Sequence, residues 1–303
     1  MIRPCVAVSA LALVAGLASS PAEALQRAFV ASYGSDANTA TFCLLGNPCR
    51  GFAAAMTVVD PGGEIVALDA AGYAAVTITK SVTITANPGF YAGISVSSGN
   101  GVTIATAGVN VILRGLNINS LGASNGIWMT NGSSLSVENC VVSNFSSNGV
   151  FVSTAAKVRI VDSLFRDNNN GIFLENAVKA GIVGVRATGN VQGIWVNGSP
   201  AATTTTVNIS DSFFSGINIG VYATTTTGAA IVSVTRSTSS NNQYGFAVDN
   251  AGAALTVSNS MATGNSNTGF YQFGTGSFKS LGNNTVDQNG TNTIGTITVI
   301  GGS

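Results

Sequence analysis

Gly126-Ile-Trp-Met129, Gly149-Val-Phe-Val152, Gly171-Ile-Phe-Leu174 and Gly193-Ile-Trp-Val196 are four versions of one phrase, and their spacing decides the fold. The phrase continues as Gly220-Val221, Gly245-Phe246 and Gly269-Phe270, at successive intervals of 23, 22, 22, 27, 25 and 24 residues. A second file keeps the same register: Val137, Ile160, Ile182, Ile209, Val234 and Val257, preceded at two residues by Leu135, Val158, Ala180, Val207, Val232 and Leu255. Alternation in and out at a period of two is the mark of a strand. A fixed long period of short strands, with no helical periodicity, means stacked supersecondary units, here a β-solenoid. A sandwich would instead need hairpin turns every 8 to 12 residues and would have no reason for a constant longer period.

The corners of the repeat are polar. Asn168-Asn169-Asn170, Gly189-Asn190, Asn241-Asn242 and Gly264-Asn265 supply residues that tolerate left-handed backbone and can hydrogen-bond the next coil. The extra length of the longest coil falls in the turn-forming Asn197-Gly-Ser-Pro-Ala-Ala-Thr203. Upstream, Val76-Thr-Ile-Thr79, Val82-Thr-Ile-Thr85, Gly93-Ile-Ser-Val96, Val102-Thr-Ile104 and Val111 to Ile118 extend the same habit, so about nine to ten coils are expected.

Composition agrees with stacking. Only 8% of the 303 residues are charged, 12 basic against 12 acidic, with 37 glycines and no histidine. Coils repeating about every 4.8 Å would turn a repeated charge into a repulsive column, whereas Ser, Thr and Asn can form ladders. A neutral chain offers no electrostatic grip on nucleic acid. The missing histidine removes Ser/His/Asp triads and His-ligated zinc.

At the start, Arg3, an apolar run of 14 residues from Cys5 to Ala18 and the small-x-small Ala22-Glu23-Ala24 read as a removable export signal over residues 1–24. A membrane anchor needs about 20 apolar residues. No later stretch would span a bilayer, and the protein is expected to be secreted or periplasmic. Residues 25–62 are read as an N-terminal strand, a loop closed by a Cys43–Cys49 disulfide, and a capping helix over Gly51 to Val59 ended by Asp60-Pro61-Gly62. Two thiols alone make a poor metal site, and no metal is expected. Residues 63–303 form the solenoid, closed at its far end by the polar stretch Asn283 to Thr293 and a last strand, Thr296 to Ile300. Cys140 falls in a file of small inward residues and is read as an apolar filler.

Phe52-Ala-Ala-Ala-Met56 leading to Pro61-Gly-Gly-Glu-Ile-Val-Ala-Leu68, then Gly72-Tyr73, Val76 to Ile84 and Leu113-Arg-Gly-Leu-Asn-Ile118 resemble the secreted bacterial right-handed parallel β-helix proteins of the pectin-lyase-like group. The resemblance covers essentially the whole mature chain and implies an all-β, right-handed parallel β-helix. For activity it implies little, because members range from pectate lyases, polygalacturonases and epimerases to adhesins.

Two candidate sites follow. Trp128, Phe151, Phe173, Trp195, Tyr222 and Tyr271 take the second position after the recurrent glycine, with Ala247 in the sixth place of the file. If the flanking aliphatics point inward, these rings form an outward stripe of roughly 29 Å, suited to a polysaccharide or cell-surface glycan. The same rings also have high strand propensity and ladder for stiffness alone. The second candidate is the corner file Asn139, Asp162, Gly184, Asp211, Arg236 and Asn259, in which Asp162, Asp211 and Arg236 are the residues a calcium-dependent uronate lyase or epimerase could draw on. Asp162 and Asp211 lie two coils apart, about 10 Å, too far to share one ion. The alternative is that they are corner residues satisfying backbone amides. Lys157, Arg159, Arg166, Asp167 and Glu175 are read as solvating charges, and the Thr203–Thr206 and Thr224–Thr227 runs as loops of adjacent coils. The expected protein is a monomer that needs no cofactor, calcium entering only with the lyase alternative. A purely structural or adhesive surface protein is the third reading.

Overall fold

A computed structural model describes residues 26–301, so the export signal read at 1–24 lies outside the described residues. The chain winds as a parallel β-solenoid with three sheets. Sheet I has twelve strands, and sheets II and III have ten each. One rung shows the plan: Asn125–Met129 belongs to sheet III, Ser134–Glu138 to sheet I and Val141–Ser143 to sheet II, after which Asn148–Ser153 resumes sheet III one level on. All strand pairings between rungs are parallel, with Ile127 against Val150, Val137 against Ile160, and Val142 against Phe165. The files read from the sequence are therefore vertical files in space.

The interior is a single apolar column. Ile127, Val150, Ile172, Ile194 and Val221 on sheet III, and Val137, Ile160 and Ile182 on sheet I, are fully enclosed. The recurrent glycine has a steric cause. A Cβ on Gly149 would lie 2.6 Å from the Gly171 carbonyl oxygen, and one on Gly193 would lie 2.4 Å from that of Gly220. From Asn100–Ile104 through Thr268–Gln272, the next rung comes too close for a side chain at the second position of each sheet III strand.

Two corners of each rung are set by left-handed residues. Between sheets I and II these are Asn139, Asp162, Gly184, Asp211, Arg236 and Asn259, with φ between 46° and 66°. Except at Val185, the residue that follows is a small hydrogen-bonding group: the Oγ of Ser163 accepts from the Cys140 N–H at 3.1 Å, that of Ser237 from the Ser212 N–H at 3.2 Å, and that of Ser260 from the Ser237 N–H at 3.1 Å. Cys140 is free and buried in this file, and burial pushes its thiol up to about 11. Between sheets II and III, Asn144, Asp167, Gly189, Gly216, Asn241, Gly264 and Gln288 are left-handed. An inward asparagine follows most of them. Asn190 Oδ1 accepts from the Asn168 N–H at 2.9 Å while its amide donates to the Phe165 carbonyl at 2.9 Å. Asn242, Asn265 and Asn289 repeat the arrangement. At the first corner named from sequence the left-handed residue is Asp167, one position before the asparagine run, because Asn168 is needed inside as the bridging amide.

The threonine runs are a correction. Thr204–Ser210 and Ile219–Thr225 are strands, and Thr205, Thr224 and Thr225 are buried, not loop residues. The rung that carries the long Ser199 to Thr203 turn and the rung after it have seven-residue strands on both sides of the turn, which draws the threonines into the ladder.

At the first rung, helix α1 (Phe52–Val58) packs on strands Arg27–Val30, Gly63–Ala67 and Val76–Ile78, burying Phe52, Ala55 and Met56. Phe52 meets Tyr73 with ring centroids 5.0 Å apart. Cys43 and Cys49 are joined by a disulfide beside this end, where Phe29 donates to the Cys43 carbonyl and Cys49 donates to the Phe29 carbonyl. At the other end, Thr285–Asp287, Thr291–Ile294 and Ile297–Val299 add one further strand to each sheet. No helix among the described residues is long and apolar enough to cross a membrane.

Candidate functional site

Sheet III carries the aromatic file. Strand register places Trp128, Phe151, Phe173, Trp195, Tyr222, Ala247 and Tyr271 directly one above another. Their neighbours on either side, such as Ile172 and Leu174 around Phe173, are wholly buried, so alternation turns the rings outward. Each ring is half-buried by its neighbours in the file.

The rings stack on one another. Phe173 and Trp195 are 4.2 Å apart and 13° from parallel, Phe151 and Phe173 are 5.2 Å apart, and Trp195 and Tyr222 are 6.3 Å apart. The stacked rings from Phe151 to Tyr222 thus present a ridge of ring edges. Trp128 heads the file and forms no ring pair among the described residues. At Ala247 the file changes partners: Tyr222 donates its hydroxyl to Asp249 at 3.2 Å, and Tyr271 stacks on Tyr244 at 5.0 Å and 13°. Between Tyr222 and Tyr271 in the file, Ala247 is 1% exposed. Burial of the ring raises the Tyr222 phenol above its ordinary range.

Polar files flank the ridge on both sides. On one side Asn125 donates to Asn100 at 2.9 Å, Asn148 to Asn125 at 2.8 Å and Asn170 to Asn148 at 2.9 Å, a continuous amide ladder. On the other, Glu175 accepts from Ser153 at 2.9 Å and from Asn197 at 3.2 Å, and Asp249 Oδ1 accepts from the Asn250 N–H at 2.7 Å. Sequence reading missed these flanking files and placed Glu175 among the solvating charges. The available signal was positional, since the ladder asparagines immediately precede the recurrent glycine and Glu175 follows Phe173 by two. Within the strand of Trp195, the indole Nε1 and the Gln192 Oε1 are buried without a hydrogen-bond partner.

The corner candidates are arranged differently. Asp162, Gly184, Asp211 and Arg236 are consecutive in the left-handed file, so Asp162 and Asp211 are separated by a whole rung. The Asp162 carboxylate fills the space over Gly184, where a Cβ would lie 2.3 Å from Asp162 Oδ1. Asp211 is paired with Arg236, whose hydrogen bonds hold its carboxyl below the ordinary value. Nearby, Glu138 binds Arg114 at 2.9 Å and Arg159 at 2.7 Å. Burial works to raise the Glu138 carboxyl, but hydrogen bonds from Ser136 and Arg114 and the two positive charges prevail and lower it. A cleft of about 420 Å³ between the Asn87–Phe90 loop and Arg114, Asn117 and Asn139 has no carboxylate in its lining. No group of three His, Cys, Asp or Glu able to hold a metal ion occurs among the described residues.

Comparisons with known proteins bear on the fold. Residues 64–209 and 125–290 match the family described as the right-handed β-helix region. Pectate lyase Pel9A shares the fold with a TM-score of 0.60 at 17% identity, over 87% of this chain and 79% of that one. XylC, solved in complex with xylose, does so with a TM-score of 0.53 at 8% identity, over 81% of this chain and 68% of that one. The search of curated proteins returns no match. The parallel rungs, the matched repeat region and the pectate-lyase-like architecture together make this chain a member of the right-handed parallel β-helix family, with a pectin-lyase-like fold.

Proposed function

We propose that the protein is an exported, non-catalytic binder of a polysaccharide or cell-surface glycan, and that the aromatic ridge of sheet III is the contact. The observation that carries this reading is the outward file from Trp128 to Tyr271, six rings in seven rungs, edged by amides and carboxylates. An apolar strip along a protein surface, bordered by polar groups that fix orientation, is the usual composition of a binding face. Sugars offer both C–H faces and hydroxyls, so rings and amides side by side suit them. The Cys43–Cys49 disulfide supports export, since such bonds persist in oxidising compartments. The names of the two similar structures, a pectate lyase and a protein holding xylose, are consistent with glycan as the ligand class.

The test is retention on insoluble polysaccharides. Residues 25–303 are expected to be retained, and a folded Trp128→Ala/Trp195→Ala variant to lose at least tenfold of that retention. Unchanged retention removes the ridge from the site. The lyase alternative is separated by incubating the protein with uronate polymers and calcium: no unsaturated product is expected, and its formation would establish catalysis.

A further inference from the structure

We infer that the sheet III face takes an uncharged polysaccharide and turns away polyuronates. This rests on the proposal that sheet III is the glycan face and adds the chemical class of the ligand. It follows from how charge is partitioned around the solenoid.

The ten strands of sheet III contain no Lys or Arg, and their one charged residue is Glu175. Asp249 directly follows the strand Tyr244–Val248 and is the second charge against the ridge. Both are tied down as acceptors: Glu175 by Ser153 and Asn197, Asp249 by Tyr222 and the Asn250 N–H. Neither has a cation of the described chain as its partner, since the ion pairs lie elsewhere, at Arg27 with Glu64, Arg114 and Arg159 with Glu138, Arg166 with Asp167, and Arg236 with Asp211. Lys157, Arg159 and Lys179 stand on sheet I, and Arg166 and Arg186 on sheet II.

A polyuronate lying along the ridge would bring one carboxylate per sugar against this surface, meeting two fixed negative charges and no guanidinium or ammonium. Recognition of a carboxylate polymer is built from forked Arg contacts or a bound divalent ion. Neither donor set is present along the file. An uncharged chain meets only groups it can use. The half-buried amide of Asn125 commits one N–H to the preceding rung and keeps a second, with the buried amides of Asn148 and Asn170 continuing the ladder behind it, and a carboxylate accepts from sugar hydroxyls. Like charge juxtaposed across an interface is a specificity device, acting against the wrong partner rather than for the right one.

The experiment is affinity electrophoresis of residues 25–303 at low ionic strength through gels carrying soluble xylan, mannan or mixed-linkage glucan, and in parallel through polygalacturonate or alginate. At least one neutral polymer is expected to retard the protein, with polyuronates at least tenfold weaker. Glu175→Gln/Asp249→Asn, checked for fold by circular dichroism, is expected to narrow that gap at least threefold, and added salt to narrow it for the unaltered protein. Polyuronate retardation equal to or stronger than that by neutral polymers, lost in Trp128→Ala/Trp195→Ala, overturns the inference and leaves the glycan face standing. Retardation by neutral polymer that the tryptophan variant does not change, or by none of the polymers, overturns the glycan face and the inference with it.

Discussion

Arg236 reaches back one rung to Asp211 and holds both of its carboxylate oxygens, Nε to Oδ1 at 2.8 Å and Nη2 to Oδ2 at 2.8 Å. Both residues are left-handed and both are solvent-exposed, so the pair spans two corners of the stack in water. The guanidinium depresses the Asp211 carboxyl and itself becomes harder to deprotonate. Carboxyl NMR should therefore show Asp211 titrating below the ordinary aspartate value, and returning toward it in Arg236→Gln. The sign for stability follows: a depressed carboxylate favours the folded state above its unfolded pKa, and that contribution is lost as pH falls through its folded value. Glu138 obeys the same sign. An Asp211 that titrates at or above the ordinary value would contradict the pair.

Asn190 satisfies two buried backbone groups on the rung before its own, the Asn168 N–H and the Phe165 carbonyl. Asn190→Ala leaves both without a partner in the interior and should cost about 2 kcal/mol. Asn144→Ala, at a left-handed and exposed position of the same corner file two rungs earlier, should cost less, about 1 kcal/mol. Denaturant titration of the two variants checks the order, and a reversal would mean that the inward amides are dispensable.

Cys140 is enclosed, and its raised thiol pKa keeps it protonated at neutral pH. In residues 25–303, a thiol reagent should leave the native protein unmodified at pH 8 and label one cysteine once it is unfolded with its disulfide intact. Cys140→Ser should fold and lose less than about 1 kcal/mol, because serine holds the equivalent place at Ser163, Ser212, Ser237 and Ser260 and donates there to a backbone carbonyl. Rapid labelling of the native state would show that the interior opens at this rung.

Trp195 gives an opposed pair of outcomes. Trp195→Ala removes a half-buried ring stacked on Phe173 and should cost about 2 kcal/mol. Trp195→Phe keeps a ring in the file and deletes a buried indole N–H that has no acceptor, so its stability should stay within about 1 kcal/mol of the parent. A loss in Trp195→Phe as large as in Trp195→Ala would mean that the indole nitrogen does find a partner in solution.

Periodic features were legible in the sequence because they depend on which residue follows which. The glycine file, the inward aliphatics, the outward aromatics and the asparagine corners each repeat at a fixed offset, and each became a vertical file. What was not legible depends on side-chain torsion or on a neighbour 22 or more residues away. The facing of Phe173 onto Trp195 is a rotamer choice that no spacing encodes. The hydrogen bonds of Glu175 come from Ser153 and Asn197, one rung below and one above, so composition alone made it look like a solvating charge. Thr204 to Thr206 were misread as loop because threonine clusters serve turns and strands alike. Only pairing with Ala229 to Ile231 decides between them.

The hydrogen bonds that link one rung to the next run along the length of the stack, while the chain enters at one end and leaves at the other. Traction on the two termini consequently loads these links in series and not side by side. Mechanical rupture should peel the molecule winding by winding from an extremity, each event releasing one repeat of 22 to 27 residues of slack in a force trace.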